Sequence, residues 1–324
     1  MTVSNAIRRP APPASGSESL DVSDGRKGSS RRKAARWRNV VWVLPAVLLL
    51  CAFCYLPLVQ NLGFSLLKWD IYSGRQTFVG VDNYLKMFHD PIFWKSLLNN
   101  TLYAGISIIF QVFGALVLAA LVEGLPSSRW RGILRAIYFI PSAISLTVAG
   151  LLFYFIYEPR MGILNAALEN LGLGNFAQAW LGQENTAIFG IIAMSQWQGF
   201  GYCTLLFAVA LQRIPSELFE AASIDGVGPI RRFFSISLPL VREMSSLMMI
   251  VTVSGAFQVF NEVMVMTTGG PNNSSQVLGT WLYRSGFVRN DFGYAAAIAT
   301  AVFVITLVLA VLQLRLAKRR RVEW

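Results

Sequence analysis

Residues 220–226 read Glu220-Ala221-Ala222-Ser223-Ile224-Asp225-Gly226, and they lie in a polar segment that continues through Ile236, Leu238 and Pro239. Long apolar runs flank this segment on both sides. The two runs, residues 187–211 and 244–261, contain no Asp, Glu, Lys or Arg. A polar segment between such runs is expected at a membrane surface, because charged side chains are costly within lipid.

The polar segment carries the start and stop signals of two short helices. Pro215 opens the first helix, since the N–H that proline lacks is not needed in a first turn. Gly226 ends that helix, because glycine adopts the left-handed conformation readily. Pro229 opens the second helix, and Pro239 is expected to stop it before the next apolar run. The pattern predicts a helix–turn–helix hairpin over residues 213–241.

The composition places the chain in a membrane. Hydrophobic residues make up 54% of it and charged residues 14%, and the mean hydropathy is +0.50. The chain contains six charge-poor segments, each with about the 20 residues that cross a bilayer. A backbone in lipid must satisfy its own hydrogen bonds, and segments of this length do so as helices. We therefore expect an all-α integral membrane protein whose six transmembrane helices are residues 40–62, 101–122, 136–157, 187–211, 244–268 and 294–314.

The distribution of Lys and Arg predicts the orientation. Of the 28 basic residues, 21 fall in the two tails, in the loop after the second span and in or beside the hairpin. Cytoplasmic segments carry this excess, so both termini and the hairpin are expected in the cytoplasm. Residues 1–39 are expected to form a disordered basic tail, residues 40–316 the membrane domain and residues 317–324 a basic C-terminal tail. Topology thus explains the net charge of +11, and nucleic-acid binding is not expected.

A second polar stretch, Phe257-Gln258-Val259-Phe260-Asn261-Glu262, lies near the end of the fifth span. Polar groups at such depth usually face a bundle interior or an aqueous path. Aromatic rings beside amides suit the apolar faces and the hydroxyls of sugars. Gly201 and Tyr202 in the fourth span are further candidates for a substrate path. The alternatives are interhelical hydrogen bonding for the amides and close helix packing for the glycine.

Other chemistry is not indicated. Cys51 and Cys54 have the spacing of a redox pair, but within an apolar span they are interpreted as small apolar residues. His89 has no histidine or cysteine near it in the sequence, so no metal site is predicted. The chain lacks the G-x-x-x-x-G-K-[ST] phosphate loop and is not expected to bind ATP itself.

The hairpin resembles the cytoplasmic signature of permease subunits of bacterial ATP-binding-cassette importers. The matching residues are Glu220, Ala221, Ala222, Asp225, Gly226, Ile236, Leu238 and Pro239. Residues 78–84, 211–215 and 266–271 resemble the carbohydrate-uptake branch, of the maltose and glycerol-3-phosphate type, and the first of its two permeases. Val227 departs from the usual alanine. Glu243 stands where a proline often follows, which bears on how the hairpin joins the fifth span.

The resemblance implies a type I importer transmembrane domain in a bacterial cytoplasmic membrane. A sugar-loaded extracytoplasmic binding protein would dock on the outer loops, and a second, homologous permease would complete the path. Two ATPase subunits, which hold the ATP and magnesium, would each grip one permease through its hairpin. Glu220 would meet a basic residue of an ATPase subunit. The chain itself would be a non-catalytic subunit that binds no cofactor and carries an oligosaccharide, a disaccharide or a glycerol-3-phosphate-like substrate.

Two other classes of transporter remain open alternatives. An ion-coupled secondary transporter would place ionisable residues inside its spans and show internal repeats. Here Glu262 alone sits well inside a span, and no repeat is found between the halves. An importer permease for a solute other than a sugar is the second alternative. A non-transporting scaffold is disfavoured, because it would have no use for polar residues at depth.

Overall fold

The computed structural model describes residues 42–70 and 74–318. The predicted N-terminal tail, residues 1–39, lies outside these residues, as does the predicted C-terminal tail beyond Lys318. Contacts divide the chain into an N-terminal unit ending at Leu58 and a main unit beginning at Val59. The described part of the N-terminal unit, residues 42–58, is helical.

The described residues are mostly helical. The helices are α1 Trp42–Phe64, α2 Asp82–His89, α3 Pro91–Glu123, α4 Ser128–Ala143, α5 Leu146–Ile156, α6 Ile163–Asn170, α7 Ala187–Leu211, α8 Ser216–Ile224, α9 Pro229–Leu240, α10 Arg242–Phe257, α11 Asn261–Met266, α12 Leu278–Tyr283 and α13 Phe292–Lys318. Two short antiparallel strands, β1 Leu67–Trp69 and β2 Gln76–Phe78, form a hairpin after α1, with Leu67 opposite Phe78. The helical content confirms that the protein is all-α.

Three of the expected spans are continuous helices that are long and apolar enough to cross a membrane: α1, α3 and α13. The pairs α4–α5 and α9–α10 meet the same criterion as bent pairs, so the described residues hold up to five such spans. Helix α7 has the length, but it is not among them. It carries the polar residues Ser195, Gln196 and Gln198 in its middle.

The prediction that the third and fifth spans are uninterrupted is wrong. In the third span, α4 and α5 meet at 93°, because Ile144 adopts an extended conformation directly after a 3-10 turn. The predicted fifth span, residues 244–268, ends as a helix at Phe257 and resumes only at Asn261. Between them, Gln258 to Phe260 form a break in the helix.

Two buried asparagines of α3 hold this break in place. The Asn100 side chain donates to the Ala256 carbonyl at 2.6 Å and accepts from the Leu278 amide at 2.8 Å, so it joins the last turn of α10 to the first turn of α12. Asn99 donates to the carbonyls of Ser274 and Gln276, each at 2.7 Å. These bonds satisfy backbone groups that a broken helix would otherwise leave unpaired in a buried site.

Helix α7 lies at the centre of the main unit and contributes to both of its apolar clusters. One cluster surrounds the fully buried Trp281. The other packs Ala115 and Ala119 of α3 against Phe207 and Ala208 of α7. Lipid is as apolar as these side chains, so close packing of small residues, and not exclusion of water, holds the helices together.

Candidate functional site

The hairpin has the predicted helix–turn–helix geometry. Gly226 is left-handed with φ +69°. Its amide donates to the Ser223 carbonyl at 3.1 Å, and the Val227 amide donates to the Ala222 carbonyl at 2.9 Å. This is the hydrogen-bond pattern of a Schellman cap. Glycine is required there because a Cβ makes the left-handed conformation costly.

The second half of the hairpin differs in one respect from the prediction. Helix α9 does not stop at Pro239 but ends one residue later, at Leu240, and the chain bends by 72° into α10. A π turn over Phe233–Ser237 precedes the proline. Pro239 therefore lies at the start of a new turn, where its missing N–H is tolerated.

The hairpin exposes most of its predicted docking residues. Glu220, Ala221, Asp225 and Gly226 are exposed, whereas Ala222 is buried. Farther along, Ile236 and Leu238 are half-buried and Pro239 is exposed. The Arg232 guanidinium lies 5.5 Å from the centre of the Phe219 ring, which links α9 to α8. The hairpin surface that carries Glu220 is therefore accessible to another protein. The Arg232–Phe219 contact holds the two helices of the hairpin together.

The predicted substrate-path residues separate into two groups around the break after α10. Gln258 and Asn261 are exposed, and Phe260 is half-buried with its ring 5.6 Å from that of Tyr283. Phe257 and Glu262 are instead buried. The break thus presents two amides and an aromatic ring on the outer surface of this chain.

Glu262 lies inside the bundle. Its carboxylate accepts a hydrogen bond from the Tyr103 hydroxyl of α3 at 2.8 Å, and both side chains are at most 5% exposed. Buried this way, Glu262 does not reach the surface formed by Gln258 and Asn261. Its role in this structure is to tie α11 to α3.

Gly201 serves helix packing. A Cβ at this position would lie 1.8 Å from the carbonyl oxygen of Tyr138, so α4 crosses α7 in direct backbone contact. Ser142 fastens the same crossing, since its hydroxyl accepts from the Tyr202 amide at 3.0 Å and donates to the Gln198 carbonyl at 2.7 Å. The Tyr202 side chain is 51% exposed.

A polar seam between α3 and α7 was missed by the sequence analysis. The Gln196 side chain donates to the Ser107 hydroxyl at 3.0 Å and accepts from the Gln111 amide at 3.0 Å. A signal for it exists, because Tyr103, Ser107 and Gln111 recur every four residues in an apolar run. Such spacing places polar groups on one face of a helix.

No group of three or more His, Cys, Asp or Glu side chains able to hold a metal occurs in residues 42–70 and 74–318. In the same residues, Cys51 and Cys54 are exposed on α1 and Cys203 is buried in α7, all three as free thiols. The candidate functional features of the described residues are two exposed surfaces. One lies on the hairpin around Glu220, and the other lies at the break around Gln258 and Asn261.

Comparison with known proteins identifies the family to which the chain belongs. Residues 112–322, which include α7, the hairpin and the break, match the model of the binding-protein-dependent transport system inner membrane component. The chain belongs to this family. It is a permease of the ATP-binding-cassette type and an integral membrane protein.

Curated relatives of the permease cover nearly its whole length. It is 46% identical over 283 residues to the probable ABC transporter permease protein YurN of Bacillus subtilis, covering 87% of this chain and 97% of YurN. It is 33% identical to the diacetylchitobiose uptake system permease protein NgcF of Streptomyces coelicolor, covering 96% and 89%. It is 32% identical to the sn-glycerol-3-phosphate transport system permease protein UgpA of Yersinia enterocolitica, covering 92% and 99%. These identities and coverages agree with the family assignment over nearly the whole length of the chain.

A solved structure shares the fold of the permease. The crystal structure of a bacterial ABC transporter involved in the import of the acidic polysaccharide alginate contains a chain that superposes with a TM-score of 0.78. The match covers 89% of the permease and 98% of that chain at 20% identity. The fold is therefore that of an importer transmembrane domain.

Proposed function

We propose that this permease is the sugar-translocating subunit of an ATP-driven, binding-protein-dependent importer and that it forms the path together with a second, homologous permease. The observation that carries the proposal is the exposure of Gln258 and Asn261 at the break after α10. Amide groups facing lipid lack hydrogen-bond partners. A second permease covering this face would give them an aqueous path instead.

The surface at the break has the chemistry of a sugar site. Asn261 and Gln258 supply donors and acceptors for hydroxyl groups, and the Phe260–Tyr283 pair supplies ring faces for the apolar side of a sugar. Tyr202, with its exposed ring, is a further candidate contact. The names of two relatives, a diacetylchitobiose permease and a glycerol-3-phosphate permease, support a substrate of this class.

The energy for transport is proposed to come from two partner ATPase subunits, which hold the ATP and magnesium, so the permease binds no cofactor of its own and is not an enzyme. The hairpin would dock on an ATPase subunit, with exposed Glu220 pairing with a basic residue there. An extracytoplasmic sugar-binding protein would deliver the substrate to the outer loops. Both termini of the permease and its hairpin would face the cytoplasm of a bacterial cell.

Uptake energetics in intact cells test the proposal. Radiolabelled diacetylchitobiose and sn-glycerol-3-phosphate are suitable first probes, compared with methionine as a non-sugar solute. Uptake that stops on ATP depletion and survives collapse of the proton gradient is the expected result. Co-purification of an ATPase with the permease is the second expected result. Uptake of methionine alone would assign the permease to a non-sugar solute.

The same assay also tests one rival function, an ion-coupled transporter, for which the buried Glu262 would be the candidate ion-binding residue. An acidic side chain inside a bundle is typical of proton and sodium carriers, and Glu262 meets Tyr103 there. The same uptake assay separates the two functions. Uptake that fails when the proton gradient collapses, and that persists without ATP, would establish the rival and overturn the importer.

A further inference from the structure

A three-way polar joint lies where α3, α4 and the root of the hairpin meet. Glu123, the last residue of α3, has a side chain only 11% exposed. Its Oε1 accepts from Nε of Arg135 in α4 at 3.0 Å and also from Nη2 of the same guanidinium. Its Oε2 accepts from Nε2 of Gln212 at 3.2 Å. Gln212 directly follows α7 and leads into the hairpin.

The Glu123–Arg135 pair of the joint is better shielded from water than a surface ion pair, and the Gln212 bond at its edge is exposed. Exposed pairs contribute little, because water screens them. The Glu123 side chain is 11% exposed, and removing either partner would leave its half-buried carboxylate short of a hydrogen bond. The backbone contact between Gly201 and Tyr138 holds α4 against α7 at a second place, separate from the joint. The joint adds α3 and the hairpin root to that crossing.

Helix α3 leads from the joint to the break. Between Asn100 and Glu123 the helix covers roughly 35 Å at 1.5 Å per residue. At the far end Asn100 holds the carbonyl of Ala256 and the amide of Leu278, and Tyr103 holds Glu262. A displacement that reaches α3 at Glu123 therefore arrives at the residues that position the break.

We propose that Glu123 is a positioning residue that locks the hairpin root to α3 and α4, so that the hairpin and these helices move as one body during the transport cycle. The inference rests on the proposed function, in which partner ATPases move the hairpin. It goes further, because it assigns the transmission to one carboxylate and its two partners.

Distances between spin labels on the hairpin and on α4 test this joint. The labels are attached at Ser223→Cys and Ile137→Cys, both exposed positions, in a chain with Cys51→Ala, Cys54→Ala and Cys203→Ala. The complex with the co-purifying ATPase is measured without nucleotide and after trapping with ATP and vanadate. In the otherwise native chain we expect the same distance in both states. In Glu123→Gln we expect trapping to shift the distance by more than the width of the native distance distribution.

Two further variants keep the test decisive. The charge reversal of Glu123→Arg with Arg135→Glu rebuilds the ion pair, and the Gln212 amide can turn so that its oxygen accepts from the new arginine. It is therefore expected to restore the native behaviour, which a loss of general packing would not allow. Gln212→Leu keeps the ion pair and releases only the hairpin root, and an intermediate shift is expected. Asp291→Asn, which breaks the exposed Lys86–Asp291 pair, is the matched control and should leave the distance unchanged.

The proposal is overturned by a native chain whose hairpin and α4 separate on trapping, by a Glu123→Gln chain that behaves as the native one, or by a charge reversal that restores nothing. Failure of the proposed function looks different, since then no ATPase co-purifies. In that case the joint is tested by the width of the distance distribution measured without nucleotide, compared between the native chain and Glu123→Gln. A wider spread in Glu123→Gln upholds the joint, and an equal spread overturns it.

Discussion

Gly201 sets how closely α4 and α7 approach. The Cβ of an alanine at this position would lie 1.8 Å from the Tyr138 carbonyl oxygen, so the two helices must separate to admit it. Gly201→Ala is therefore expected to cost about 1–3 kcal/mol of stability, measured as a lower melting temperature of the purified permease. Gly105→Ala is the matched control, because no atom from outside the adjacent backbone of its own helix lies within 4 Å of its new Cβ. Equal melting temperatures for the two variants would contradict this account of the crossing.

Asn261 tests the substrate path at the same scale. Because its side chain is exposed beside the break, Asn261→Leu is expected to leave assembly intact and to reduce the rate of sugar uptake. The leucine removes both donor and acceptor at that point. Asn261→Gln keeps the amide and should retain more of the uptake. Normal uptake kinetics in the leucine variant would return Asn261 to a packing role.

At the scale of elements, Asn100 is the strap between α10 and α12. Asn100→Ala leaves the Ala256 carbonyl and the Leu278 amide without their partner in a buried site. Each unpaired group costs about 1–3 kcal/mol, so a clear drop in melting temperature is expected. The neighbouring exposed Thr101 supplies the control as Thr101→Ala. A drop of similar size in both variants would show that the strap is not what stabilises the break.

The hairpin makes its own prediction. Glu220→Ala is expected to leave the permease inserted in the membrane but to weaken its binding to the ATPase about tenfold, the equivalent of about 1.4 kcal/mol. The measurement is the amount of ATPase that co-purifies at graded concentrations. Glu217→Ala, on the same helix α8, is the control and should bind normally. Unchanged binding and uptake in Glu220→Ala would refute the docking role.

The sequence was informative where structure is local and less so where it depends on distant contacts. Gly226 and Pro229 carry their own conformational preferences, so the turn of the hairpin was predicted correctly. The break at Gln258 was not, because hydrogen bonds from Asn100, far away in the sequence, stabilise it. The bend at Ile144 was missed for a related reason, since the backbone contact of Gly201 with Tyr138 holds α4 across α7. Hydropathy indicates whether a segment can lie in lipid. It does not indicate where contacts with other helices bend that segment.

At the scale of the whole molecule, the excess of Lys and Arg predicts which face lies in the cytoplasm. A cysteine at Ser223 in α8 should react with a membrane-impermeant maleimide only after the cells are opened. A cysteine at Asn272, in the exposed turn before α12, should react in intact cells. A chain with its three native cysteines replaced gives the background signal. Labelling of Ser223→Cys in intact cells would reverse the orientation.

The polar middle of α7 has a consequence for biogenesis. A nascent α7 that leaves the translocon alone would carry Gln196 into lipid without a partner, at a cost of several kcal/mol. Helix α3 is synthesised earlier and offers Ser107 and Gln111 as ready receptors. By supplying hydrogen-bond partners for Gln196, α3 would thus assist the insertion of α7 into the membrane. Chains whose α3 carries Ser107→Leu and Gln111→Leu should insert α7 less often. The hairpin that follows α7 would then reach the outer side of the membrane in more chains, and glycosylation mapping would detect it there.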